Sequence, residues 1–106
     1  LRPKPFLREG RLLAAHGGVH AAIDVSDGLS SDLGHIVRLS RVGARLFLVR
    51  LPRAPALQQV CRRCVFDPVE HALAGGEDTA LLVTVTPSEA AASARDYFTT
   101  FGKYLP

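Results

Sequence analysis

Apolar residues recur along this chain with two different periods, and the periods change at glycines and prolines. Leu1 to Pro5 reads as extended, because each proline pushes the residue before it out of the helical region. Phe6 to His16 then reads as a helix, with Phe6, Leu7, Leu12, Leu13 and Ala14 on an apolar side and Gly17-Gly18 as its end. Val19 to Val25 is nearly all apolar apart from His20, up to Asp24, and predicts a first strand covered on both faces. From Ser26 to Leu39 the period becomes helical. Leu29, Leu33, Ile36, Val37 and Ser40 share one side, and Asp32, His35 and Arg38 lie on the other. Ser26 and Asp27 both qualify as N-caps of that helix.

Val42-Gly43 closes the central helix, and Ala44 to Val49 predicts a second strand with Leu46 and Leu48 on one face. Leu51 to Pro55 is a loop. Ala56 to Arg63 predicts a short helix, Val65 to Pro68 a break, and Val69 to Ala74 another helix stopped by Gly75-Gly76. Asp78 to Val85 predicts a third strand. Ser88 caps a last helix running to about Thr100, which offers Ala91, Ala94, Tyr97, Phe98 and Phe101 to the core. The order is helix, strand, helix, strand, short helices, strand, helix. It predicts an α/β (α+β) fold, a layered sheet with packed helices, in a single domain over residues 1–106.

Composition adds limits. The chain has 106 residues, 47% hydrophobic and 22% charged. That length suffices to bury roughly two-thirds of the unfolded surface. No apolar run approaches the roughly 20 residues that span a bilayer, and the N-terminus lacks a signal-type apolar region, so no membrane role is expected. Leu1 in place of an initiator Met predicts a fragment or a processed product. Two cysteines give no disulfide framework, which makes a reducing cytoplasm the expected setting. The net charge of +3 comes from scattered arginines not interleaved with aromatics, so no nucleic-acid partner is expected.

Candidate chemistry gathers at two places. Asp24, Ser26 and Asp27 follow an apolar run and precede a helix, at the end of a strand where open α/β sheets bind ligands. Their oxygens can hold magnesium, and the serine hydroxyl and helix amides can meet a phosphate. Helix capping alone explains the same residues equally well. The second place is Leu73-Ala74-Gly75-Gly76-Glu77-Asp78. Two glycines allow a backbone to approach a ligand closely, and two acids follow. A helix end followed by a polar strand start explains it too. Cys61-Arg62-Arg63-Cys64 is half a zinc site at best, and two half-buried thiols are the simpler reading. His16, His20, His35 and His71 are dispersed, and no Walker-type loop occurs.

The segments Leu1-Arg2-Pro3-Lys4-Pro5, Ala22-Ile23-Asp24-Val25-Ser26-Asp27-Gly28-Leu29, Asp32-Leu33-Gly34-His35-Ile36, Gly43-Ala44-Arg45 and Ala72-Leu73-Ala74-Gly75-Gly76-Glu77-Asp78 resemble, in order and spacing, the C-terminal domain of thiamine-monophosphate kinases. These belong to the superfamily of aminoimidazole ribonucleotide synthetase, selenophosphate synthetase and a hydrogenase maturation factor. The resemblance covers nearly the whole chain. It implies a truncated C-terminal domain, with an N-terminal ATP-binding domain absent, from a homodimeric enzyme.

Such an enzyme transfers the γ-phosphate of ATP to thiamine monophosphate, giving thiamine diphosphate. By resemblance, Asp24 and Asp27 would hold Mg2+, Ser26 would contact ATP, and Glu77 would bind the thiamine phosphate substrate. No protein nucleophile is expected, since phosphoryl transfer depends on positioning and charge neutralisation. The fragment alone is expected to be inactive. One departure is Thr79-Ala80 where the family usually has Tyr-Glu. It keeps two alternatives open: a related phosphotransferase with another acceptor, and a non-catalytic binding or interaction domain that retains the fold.

Overall fold

The computed structural model describes residues 5–77 and 80–105. The lead expected to be extended therefore falls, except for Pro5, outside the described residues, as do Asp78 and Thr79 at the start of the third expected strand. The element order is α1 (Leu7–Ala15), β1 (Val19–Val25), α2 (Leu29–Ser40), α3 (Pro55–Cys64), α4 (Pro68–Ala74), β2 (Ala80–Val85) and α5 (Pro87–Phe101), with a 3-10 turn at Leu48–Arg50. This is the expected mixture of helices with a layered sheet, but the sheet has two strands. No described helix is long and apolar enough to cross a membrane. The described residues divide into two compact units: residues 5–24 with 80–105, and residues 25–77.

In the first unit, β1 spans the predicted residues. Its His20, Ala22 and Asp24 are exposed and alternate with half-buried Val19, Ala21 and Ile23, before buried Val25. The strand therefore has one covered face, not the two expected. The Thr86 amide donates to the Gly18 carbonyl at 2.9 Å, so the end of β2 meets the start of β1 and the strands run antiparallel. An antiparallel pair tolerates water on one face, which accounts for the alternation.

Helix α5 packs against α1. It starts at Pro87 with Thr86 in the N-cap position, so Ser88 lies inside the helix and does not cap it. Proline at the first helical position loses no hydrogen bond there. The inward row of α5 is Ser93, Tyr97 and half-buried Phe101, spaced by four residues. The Tyr97 and Phe101 rings lie tilted at 51° with centroids 4.9 Å apart. Ala91 and Phe98, expected in the core, are exposed because they lie off that row.

In the second unit, α2 packs on α4 and α4 on α3. Pro55 and Pro68 open α3 and α4, and the Asp67 carboxylate caps α4 by accepting the Val69 amide at 2.8 Å. Helix α2 begins at Leu29, three residues later than expected, and Ser26 and Asp27 are not its caps. Its buried residues are Ile36 and Asp32. Asp32 had been expected on the polar side. Arg41, at φ 54, ends the helix, and the Val42 amide reaches back to the Val37 carbonyl at 3.2 Å. That six-to-one bond beside a left-handed residue is a Schellman closure.

The strand expected over Ala44–Val49 does not form. Residues 43–47 have no regular structure, Leu48–Arg50 make one 3-10 turn, and every residue from 41 to 50 is exposed. Strand propensity expresses packing against neighbours more than a backbone preference, and no strand pairs with this stretch among the described residues.

Candidate functional site

The turn after β1 is built by an acid five and six residues further on. Asp32, in the first turn of α2, is 2% exposed. One of its carboxylate oxygens, Oδ2, accepts the amides of Ser26 at 3.0 Å and Asp27 at 3.1 Å. Those amides are thereby taken out of any helix, so α2 starts later, where the Asp32 amide donates to the Gly28 carbonyl at 3.0 Å. The side chains of Ser26 and Asp27 are left exposed.

The glycine-rich segment closes on the same turn. The Glu77 amide donates to the Ser26 carbonyl at 2.8 Å. A Cβ at Gly76 would come within 2.5 Å of that carbonyl oxygen, a distance no side-chain carbon tolerates. Gly28, at φ 101 and ψ 145, lies in a region open to glycine alone, and a Cβ there would meet the Ala74 carbonyl carbon and oxygen at 3.0 Å. The Ser30 hydroxyl donates to the Leu73 carbonyl at 3.0 Å. The two motifs separated by about fifty residues in sequence are therefore neighbours within one unit. Glu77 itself is exposed at a positive φ of 62. Non-glycine residues adopt that conformation at some cost and cluster at ligand-binding places when they do.

Among the described residues, Asp27, Asp32 and His35 bring their ligand-type atoms within 4.8 Å of one another. Asp24, the other expected magnesium ligand, is exposed on β1 in the first unit and is not a member of this trio. Arg38 Nη2 lies 3.0 Å from His35 Nδ1. A guanidinium only donates, so Nδ1 accepts and the neutral ring carries its proton on Nε2. While Arg38 holds it, His35 offers the cluster a donor and no lone pair. The oxygen ligands are thus carboxylates, which suits a hard cation such as magnesium better than zinc or copper.

Other features stand apart. An open cleft of 470 Å³ in the first unit is lined by Leu12, Ala15, His16, Asp96, Thr99 and Thr100, and contains none of the motif residues. His16 pairs there with Asp96 at 3.2 Å. Of the two cysteines on α3, Cys61 is buried and Cys64 exposed, so the expectation of two half-buried thiols describes neither.

Residues 1–103 match the model of the family AIR synthase related protein, C-terminal domain. The chain belongs to this family. Within it, the thiamine-monophosphate kinase of Rhodopirellula baltica is 45% identical over 91 residues, covering 86% of this chain and 29% of that protein. The protein of the same name from Escherichia coli K12 is 45% identical over 85 residues, covering 80% of this chain and 25% of its own length. A crystal structure of thiamine-monophosphate kinase from Stenotrophomonas maltophilia superposes with a TM-score of 0.81 at 38% identity, over 94% of this chain and 30% of that one. The chain thus spans between a quarter and a third of the length of these relatives. The expected resemblance and the expected fold class both hold for this AIR synthase-related domain.

The residue that sequence reading missed is Asp32. The helical period places it on the side opposite the apolar row, yet it is buried. Its signal was an acid in the first turn of a helix, five residues beyond Asp27 and four beyond Gly28. That spacing lies outside the familiar capping box, in which the acid sits three residues after the cap.

Proposed function

We propose that this chain is the C-terminal domain of a magnesium-dependent enzyme that transfers the γ-phosphate of ATP to thiamine monophosphate, giving thiamine diphosphate. The observation that carries this reading is the Glu77 amide on the Ser26 carbonyl, which brings the glycine-rich acidic segment onto the Ser26–Asp27 turn. The names of the relatives supply the reaction, and their greater length is why an ATP-binding N-terminal domain is assigned to the same enzyme. The parent enzyme is taken as a cytoplasmic homodimer.

In this reading Asp24 and Asp27 hold Mg2+, the Ser26 hydroxyl contacts ATP, and Glu77 binds the thiamine phosphate. The donor set fits: the exposed carboxylates at Asp24 and Asp27 are hard oxygen ligands, and the His35 ring, engaged by Arg38, offers no competing nitrogen lone pair. Bound magnesium supplies charge neutralisation on the transferring phosphate. The chain's own contribution is positional. Ser26 and Asp27 project outward from a turn whose amides are already satisfied, so little reordering is needed when ligand arrives. No side chain is assigned as a nucleophile.

The test uses the enzyme that carries this domain, supplied with ATP, Mg2+ and thiamine monophosphate. Asp27→Asn is expected to lower kcat/KM at least about 100-fold, the order seen when one transition-state charge contact is removed. Turnover of thiamine monophosphate that survives Asp27→Asn within twofold contradicts the assigned role. Turnover of another phosphate acceptor, with none of thiamine monophosphate, would instead favour a related phosphotransferase.

A further inference from the structure

We infer that Asp32 is the positioning residue of this site: its buried carboxylate sets the Ser26–Asp27 turn by holding both backbone amides on one oxygen. The inference rests on the reading of Asp27 as a magnesium-facing carboxylate. A carboxylate 2% exposed is costly to bury unless it is hydrogen-bonded. Here the partners are the two amides, at 3.0 and 3.1 Å. Both conventional lone pairs of Oδ2 are then occupied, so that oxygen has none left for a cation.

Through Oδ2, Asp32 therefore acts by way of its neighbours. Drawing both amides inward leaves the Ser26 hydroxyl and the Asp27 carboxylate as the groups of this turn that face outward. It also denies a phosphate the two amides that such a turn would otherwise present. Negative charge in the first turn of α2 matches the helix dipole, which favours Asp over Asn at this position. Supporting groups of this kind around a metal-binding residue are commonly worth about 10- to 100-fold in metal affinity.

The experiment compares the 106-residue chain with its Asp32→Ala and Asp32→Asn variants by amide hydrogen exchange and by Mn2+ titration followed through NMR line broadening. In Asp32→Ala, the Ser26 and Asp27 amides should exchange about 100-fold faster while β1 and the body of α2 keep their protection, and the apparent Kd for Mn2+ at Asp27 should rise about tenfold. Asp32→Asn keeps an acceptor oxygen without the charge and should recover most of the protection, with affinity between the two. If Asp32→Ala does not fold, Asp32→Asn decides alone, through faster exchange confined to those two amides and a few-fold weaker Mn2+.

Unchanged exchange at Ser26 and Asp27, or acceleration spread uniformly over the second unit, overturns the inference. Mn2+ affinity within twofold of the parent despite freed amides overturns it as well. If the unsubstituted chain shows no Mn2+ effect at Asp27, the metal reading fails. Exchange at the two amides then still decides whether Asp32 holds the turn.

Discussion

Two irregular stretches of the second unit, residues 26–28 and residues 43–51, begin from similar material and end very differently. Each follows or contains a run of apolar residues, and each was expected to be regular structure at least in part. In the first, the Ser26 and Asp27 amides go to Asp32, the Ser26 carbonyl accepts Glu77, and Gly28 packs against the Ala74 backbone. In the second, the local bonds close a single 3-10 turn, Arg50 to Phe47 and Leu51 to Leu48, and the side chains stand in solvent, Phe47 at 58% and Val49 at 85% exposed. A loop becomes a defined geometry when other segments meet its backbone polar groups. Hydrophobic pattern alone did not achieve that at residues 44–49.

This contrast breaks first at the glycines. Gly28→Val puts a β-branched residue at φ 101 with its Cβ 3.0 Å from backbone atoms of Ala74. We expect a loss of about 3 kcal/mol in unfolding free energy by urea titration, from strain plus the clash. A loss below about 0.5 kcal/mol would mean that the turn is not held as described. Gly76→Ala should cost roughly 1–3 kcal/mol, since the carbonyl of Ser26 must move and its bond from Glu77 weaken. Retention of the Glu77 amide's protection in that variant would contradict this.

A substitution in the first unit sets a scale. Burial, and then the nearby Glu9 carboxylate, raise the Tyr97 phenol above the ordinary value of 10.0. The folded state thus favours the protonated phenol. Its contribution is fully present below pH 10.0 and is lost as pH rises through the elevated value. Tyr97→Phe should leave the pH 7 stability within about 1 kcal/mol and reduce the alkaline decline seen in thermal melts as the pH is raised above 10.0. A parallel decline in both proteins would contradict this. The smallest effects belong to the other stretch: Phe47→Ser and Val49→Ser should each stay within about 0.5 kcal/mol. A larger loss in either would show that residues 43–51 bury more than their exposure indicates.

Much of the fold could be read from local signals. β1 ran over its expected residues, and the two short helices expected from Ala56 and Val69 formed, each starting one residue earlier, at Pro55 and Pro68, because proline at the first helical position is nearly free of cost. The errors came where a tertiary partner decided the outcome. Ser26 and Asp27 have good capping side chains, yet Asp32 took their amides and displaced the helix start to Leu29. Ala44–Val49 alternates well enough for a strand, but no ladder partner exists for it among the described residues. Asp24, Ser26, Asp27 and Glu77 were legible as candidates because acids, a serine and glycines cluster near element ends. The Glu77–Ser26 contact was not legible, since nothing local connects residues so far apart.

The central claim is that the Ser26–Asp27 turn presents an exposed carboxylate to a hard cation. Mapping Mn2+ broadening across the amide spectrum of the unsubstituted chain tests it directly. The account predicts broadening centred on residues 24–28, competed by Mg2+ and lost in Asp27→Asn. Broadening centred elsewhere, for instance at Asp96 and His16, or unchanged by Asp27→Asn, would contradict it.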